Sequence, residues 1–427
     1  MKISYKLVLI ISFLMVTVDS IAQEFDVNMQ IRPRFEYRNG FKELMKDGAY
    51  PTSFISNRSR LTFDFKQEKI KAKIDFQNVR VWGDIATTGI SDKNGVALFE
   101  SWFSYDLNTN WTAKIGRQVI SYDNQRIFGG LDWAQQGQSH DALVVHYAKD
   151  KMKIDFGGAI SNGGENLVET AYNTTYKNLQ YIWFNKKFSN SSLSLLALNT
   201  GYQYVNTIDV TFENAYMQTL GGFYKFQGNN WFGDLGAYVQ TGETALGTSK
   251  EDILAYNAAI NVGYKFDANF KAELGFEYLS GKNQDDADSK IKSFTPLFGT
   301  NHGFNGFMDY FYVGNHKNTV GLKDFYGKLT FEKNKWQIAL APHFFYSAAQ
   351  IINPVTIEKE SSNLGTEIDL TCAYKMDKNI TITGGFSKMF GTTSLEIIKA
   401  GNKDNDNNWA YVMISFNPNI FSFKNTK

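Results

Sequence analysis

Cysteine is almost missing from this chain. Cys372 is the only one among 427 residues, so an internal disulfide is excluded and no thiolate metal cluster can form. Proline is nearly as rare, with six residues, as expected where most of the backbone sits in hydrogen-bonded ladders that a residue without an N–H would interrupt. No apolar run beyond the N-terminus is long enough for a membrane-spanning helix. Leu193 to Leu198 stops at strand length, whereas a spanning helix needs roughly 20 residues. Net charge is only +1, which offers no electrostatic case for nucleic acid as a partner. Arginine is absent from the last two thirds. Arg32, Arg34, Arg38, Arg58, Arg60, Arg80, Arg117 and Arg126 are all there are, and lysine carries the positive charge after them.

What is present begins with a leader. Lys2 and Lys6 precede an apolar stretch from Leu7 to Val18, and Ser20-Ile21-Ala22 supplies a small-x-small cleavage site. This is the pattern of a cleaved secretory signal over residues 1–22, with a mature start at Gln23. No cysteine follows the cut, which argues against a lipid anchor there. Aromatic content of 15% together with a mean hydropathy of −0.33 suits a chain whose strands turn greasy residues to lipid and polar ones to water.

Alternation with period two dominates residues 23–427. Phe25, Val27, Met29, Ile31, Phe35 and Tyr37 share one parity; Asp26, Asn28, Gln30, Arg32, Arg34 and Glu36 share the other. Such a strand faces two different solvents. Leu61, Phe63 and Phe65 repeat the pattern against Arg58, Arg60, Thr62 and Asp64. Ile70, Ala72, Ile74 and Phe76 do so against Lys71, Lys73 and Asp75. Short polar gaps, such as Gln67-Glu68, Asn108-Thr109, Ser189-Asn190, Gly228-Asn229 and Asp377-Lys378, mark hairpins. Long gaps fall at about 38–55, 81–94, 121–138, 161–174, 205–212, 243–252, 282–316, 349–361 and 392–405. Nine long and eight short connections predict a single-domain, all-β, antiparallel up-and-down barrel of about eighteen strands. Short turns lie on the periplasmic side and long loops outside, as in outer-membrane barrels.

If the apolar parity faces lipid, Arg32 and Arg34, Arg58 and Arg60, and Lys71 and Lys73 point inward from three adjacent strands. Guanidinium groups stay charged and grip carboxylates in pairs, so such a wall selects anions. The alternative is a salt-bridged ladder with Asp26, Glu36, Asp64 and Asp75 that only stiffens the wall. Residues 116–142, GRQVISYDNQRIFGGLDWAQQGQSHDA, carry Asp123, Arg126, Asp132 and Trp133 through a glycine-containing loop. That loop either folds inward as a constriction or stays outside, held by its own ion pairs. Asp285, Asp286 and Asp288 form an acidic group without the glycine and terminal glutamate of an EF-hand loop. Phe294 to Tyr312 is too aromatic for an exposed loop and is expected to pack on the rim or inside.

The segments GRQxISYDxQRIFGGLDWxxxGxxHDA at 116–142 and GTNHGFNGFMDYFYVG at 299–314 resemble the alginate export family of outer-membrane proteins, particularly its Bacteroidetes members. The resemblance implies an eighteen-stranded barrel with an electropositive pore for polyuronate, with Arg117, Asp123, Arg126 and Asp132 as pore or constriction residues. Arg117 shares the parity of Ala113 and Ile115, so it needs a β-bulge after Ile115 to reach the lumen.

The expected function is a passive, cofactor-free channel of the outer membrane for anionic sugar chains, in contact with membrane lipid; no periplasmic transport partner is assigned. A general small-solute porin is the alternative. A barrel enzyme such as a lipase is another, but His140-Asp141 and His146 have no GxSxG serine, and no carboxylate pair stands out as a glycosidase dyad. A soluble periplasmic glycan-binding protein is the third.

Overall fold

The computed structural model describes residues 22–89, 92–206, 211–300, 302–312 and 314–425. The leader lies, except for Ala22, outside the described residues. Strands β1 (Gln23–Asn39), β2 (Thr52–Gln67), β3 (Ile70–Val81), β4 (Ala97–Asp106), β5 (Trp111–Gln118) and β6 (His140–Lys149) open the chain. β7 (Met152–Ile160), β8 (Asn178–Lys187), β9 (Ser191–Asn206), β10 (Thr211–Gln227), β11 (Trp231–Leu246) and β12 (Ser249–Lys265) follow. β13 (Phe270–Leu279), β14 (Leu322–Lys333), β15 (Trp336–Tyr346), β16 (Asn363–Lys375) and β17 (Ile380–Gly391) lead to a short helix α1 (Thr393–Lys399). β18 (Asn407–Phe416) and β19 (Asn419–Asn425) end it.

From β1 to β18 every strand pairs antiparallel with its sequence neighbours, and β1 pairs also with β18 and β19, which closes the sheet. The last two labels are two lengths of one wall strand. The upper half of β1 runs against Asn408–Phe416 and its lower half against Asn419–Asn425, with a register shift at Val27/Asn28 beside Asn417-Pro418. A proline cannot donate to the ladder, so the break falls where the bulge is least costly. The wall therefore has eighteen strands.

The pleat sorts the side chains as the alternation predicts. On β1, Ile31 and Phe35 are 39% and 41% exposed on the outside, while Arg32 and Arg34 are 3% and 5% exposed within. Outside, Trp111 packs on Tyr147, Trp231 on Tyr264 and Trp336 on Tyr374, with ring centroids 4.8, 4.9 and 4.5 Å apart. All six lie within a few residues of a short turn and form the aromatic belt of a membrane border. Inside, rings fold over glycines directly across the ladder: Tyr326 over Gly275, Tyr411 over Gly385 and Tyr238 over Gly221. A β-carbon at Gly275 would stand 2.1 Å from the Tyr326 ring.

The short turns fall where the polar gaps put them, but two long gaps do not survive. Residues 243–252 are ladder almost throughout, with Glu243 opposite Asp252 and Leu246 opposite Ser249. Around 205–212, Asn206 pairs with Thr211. These strand ends rise above the apolar band, where both faces meet water and alternation has no cause.

A candidate functional site in the lumen

Two loops turn into the barrel and meet. Residues 119–139, between β5 and β6, run beside residues 280–321, between β13 and β14. The Gly129 N–H donates to the Phe298 carbonyl at 2.9 Å, the Phe298 N–H to Ile127 at 3.1 Å and the Thr300 N–H to Gln125 at 2.9 Å. Phe128 and Phe298 stack at 5.5 Å. The longer loop also reaches across: Lys42 N–H donates to the Met308 carbonyl at 2.9 Å and the Tyr310 hydroxyl to the Gly40 carbonyl at 2.5 Å. Its tip is held on β16, where Glu367 accepts from Met308 N–H at 2.7 Å and Asp369 from Phe307 N–H at 3.3 Å. Gly306, at φ +82°, lets the chain pass against the Glu367 carboxylate, 2.7 Å from where a β-carbon would stand. Buried Phe294, Met308, Tyr310 and Phe311 thus account for the aromatic richness of 294–312.

The arginine wall is where parity placed it, and the shorter loop lies on it. Arg32 and Arg58 are directly opposite in the β1–β2 ladder, an arrangement that repels when nothing intervenes. Asp132 intervenes: Oδ2 lies 3.1 Å from Arg32 Nη1 and Oδ1 lies 2.7 Å from Arg58 Nη2. Partial desolvation between the loop and the wall tends to raise the Asp132 carboxyl, but Arg58 and Arg32 outweigh it and hold it below the usual carboxylate range. Arg32 also takes the Asp132 carbonyl at 2.7 Å and Gln135 Oε1 at 3.0 Å. Arg34 binds Glu36 at 2.9 Å and the Trp133 carbonyl at 2.6 Å, and Arg38 binds Glu36 at 2.8 Å. Arg60 has no carboxylate within ion-pair distance among the described residues; it bonds Gln77 at 2.9 Å and lies 3.6 Å over the Phe99 ring. Lys73 pairs with Glu100 at 2.6 Å, while Lys71, exposed near the lower mouth, has no ion pair among the described residues.

Four expected site residues are occupied in ways the sequence did not disclose. Arg117 is a correction. The β4–β5–β6 register runs unbroken through it, so it stays on the outward parity of Ile115 and pairs with Asp141 at 2.8 Å. The local distortion is Gly116, whose φ of +121° brings it onto the Ser101 carbonyl, and it shifts no register. Arg126 is buried at the junction of both loops, 2.7 Å from Glu277 and 2.9 Å from Asn305. Asp123 accepts from Trp183 Nε1 at 3.1 Å and from the Ser194 hydroxyl; burial pushes its carboxyl up despite those donors. Trp133 has Arg34 over its ring at 4.0 Å and His302 stacked at 4.0 Å, and two groups at that height cannot share a face. It is a clasp between loops and wall. Asp286 and Asp288 lie 2.6 and 3.3 Å from Lys292 Nζ, a loop ion pair rather than an open cation cage.

Further round the wall, with Arg126 on Glu277 at its edge, lies a feature that alternation alone does not reveal. Asp234 on β11, Glu273 and Glu277 on β13, Asp324 on β14 and Asp369 on β16 surround a cavity of about 220 Å³, with Lys328 and His343 among them. Each sits on a wet parity, as nearly every lumenal acid does; the lateral pairing of β11 to β16 brings these five around one cavity.

No protein family profile matches the chain, and no curated protein does. Solved structures do. OccAB4 of Acinetobacter baumannii superposes with a TM-score of 0.62 at 11% identity, over 95% of this chain and 99% of that one. A BenF-like porin from Pseudomonas fluorescens Pf-5 gives 0.59 at 10% identity, over 93% and 99%. OpdK of Pseudomonas aeruginosa, solved with vanillate, gives 0.58 at 10% identity over the same shares. At such identities the likeness is one of architecture. The fold is the closed eighteen-stranded antiparallel barrel of outer-membrane porins.

Proposed function

We propose that this protein is a passive outer-membrane channel for anionic solutes, with carboxylated sugars, alginate or shorter uronates, as the class it admits. The observation that carries the reading is the inward set of Arg32, Arg34, Arg58 and Arg60 on two adjoining strands, at the level where the loop 119–139 narrows the lumen. Guanidinium groups in a confined, low-dielectric passage attract carboxylates far more strongly than in bulk water. The resemblance of residues 116–142 and 299–314 to alginate exporters, and a barrel neighbour solved with vanillate, an aromatic carboxylate, add to it.

A second reading is favoured by the acidic cavity lined from β11 to β16. A long polyanion must pass those carboxylates, whereas a short solute can keep to the arginines of β1 and β2, so a porin for small anions fits a lumen that carries both signs. Planar-bilayer recordings test both. The wild type is expected to prefer anions in a salt gradient. Serine at positions 32, 34, 58 and 60 together should bring the reversal potential toward zero, and an unchanged potential would remove those four from the mechanism. Tighter block by long oligouronates than by glucuronate favours the polymer; the converse favours the small-solute porin.

A further inference from the structure

Asp132 is bound as a solute would be. Its side chain is 75% exposed to the lumen, yet it bridges two arginines whose side chains are only 4% and 1% exposed. With one oxygen on each of two guanidinium groups, the carboxylate makes two charge-assisted hydrogen bonds that any solute carboxylate of the same size could make in its place. The remaining contacts of this loop with the wall do not depend on that carboxylate. Arg32 also holds the Asp132 carbonyl and Gln135 Oε1, and Gln135 Nε2 donates to the Ser56 hydroxyl at 3.0 Å. The loop can therefore stay seated while the side chain of Asp132 leaves. Next on the same face of β2, Arg60 has a buried Nη2 with no hydrogen-bond partner among the described residues. Swinging Asp132 away would leave Arg32, Arg58 and Arg60 with no carboxylate between them, the state that most needs an anion.

We propose that Arg32 and Arg58 form a carboxylate-binding site that the protein fills with its own Asp132, and that a solute carboxylate enters by displacing it. The proposal rests on the channel reading above and assigns the gatekeeping step to one side chain. A tethered competitor lowers apparent affinity by the fraction of time the site is free, so an unoccupied pair should bind solute more tightly than the wild type does.

The test is inhibition of chloride current by sodium glucuronate, with glucose as the neutral control, on protein whose heat-modifiable migration in SDS shows an intact barrel. Asp132→Asn is expected to lower the half-blocking glucuronate concentration about tenfold or more and to shift the reversal potential further toward anions. A second arm uses Asp132→Cys with Cys372→Ser, Cys372 being on the outward parity of β16. Attaching a sulfonate-bearing thiosulfonate reagent to an open channel restores a negative charge, and should return block toward wild type within one recording. Unchanged or weaker block in Asp132→Asn, together with no effect of the reagent, would show that Asp132 merely positions the arginines and would overturn the inference. A wild type without anion preference would instead defeat the channel reading itself.

Discussion

At the scale of single residues, pairing decides which charges are available. Arg34 and Arg38 share Glu36, Arg126 is spent on Glu277, and Arg32 and Arg58 hold Asp132. Arg126 and Glu277 are 4% and 5% exposed, so truncating one strands the other's charge. Arg126→Ala is expected to cost about 3–5 kcal/mol locally, read as faster proteolysis within 280–321. Arg126→Met with Glu277→Leu should recover much of that protection, and equal lability of the single and double variants would show that the ion pair is not what joins the loops. Parity alone put Arg32, Arg34, Arg58 and Arg60 on the lumenal side, because a strand between lipid and water leaves a periodic trace. Their partners were not legible: Asp132 lies about a hundred positions from Arg32, and nothing local in the sequence encodes that meeting. Arg117 was misjudged because its motif suggested the lumen while its own parity pointed to the outside.

At the scale of elements, strands were readable where the two faces meet different solvents and unreadable above the lipid, as 243–252 illustrates. The glycines opposite Tyr326, Tyr411 and Tyr238 were visible only as composition. Gly275→Ala should push Tyr326 from its seat and cost about 1–3 kcal/mol, measured as a lower midpoint of the heat-modified band shift. Combining it with Tyr326→Ala should cost less than the two separate losses added. Helix α1, capped by the Thr392 hydroxyl accepting from Leu395 N–H at 3.3 Å, docks on the long inward loop through Lys399, whose Nζ reaches the Asn315 carbonyl at 2.8 Å. Burial beside Phe311 and the neutral His316 pushes Lys399 down to about 7. The undocked lysine, at its ordinary value, holds a proton that the docked one has lost between about pH 7 and 10. Docking therefore strengthens as pH rises through that window and is weakest below it. Hydrogen exchange of 310–320 should slow from pH 7 to 9 after correction for intrinsic rates, and Lys399→Met should flatten the difference. Equal protection at both pH values would contradict this.

At the scale of the whole molecule, closure governs everything else. An open sheet of this length would present one unpaired row of amides to lipid at each end, which hydrocarbon does not tolerate. Here, among the described residues, the lower part of β1 has its one partner besides β2 in Asn419–Asn425, beyond the proline break. Deleting residues 418–427 should therefore leave a notch in the wall at Gln23–Asn28, and the shortened protein should lose its resistance to SDS without heating. The same geometry sets an order of assembly. The seam joins Gln23–Asn39 to segments some four hundred residues further along, so it can zip shut only after the strands between them are laid down.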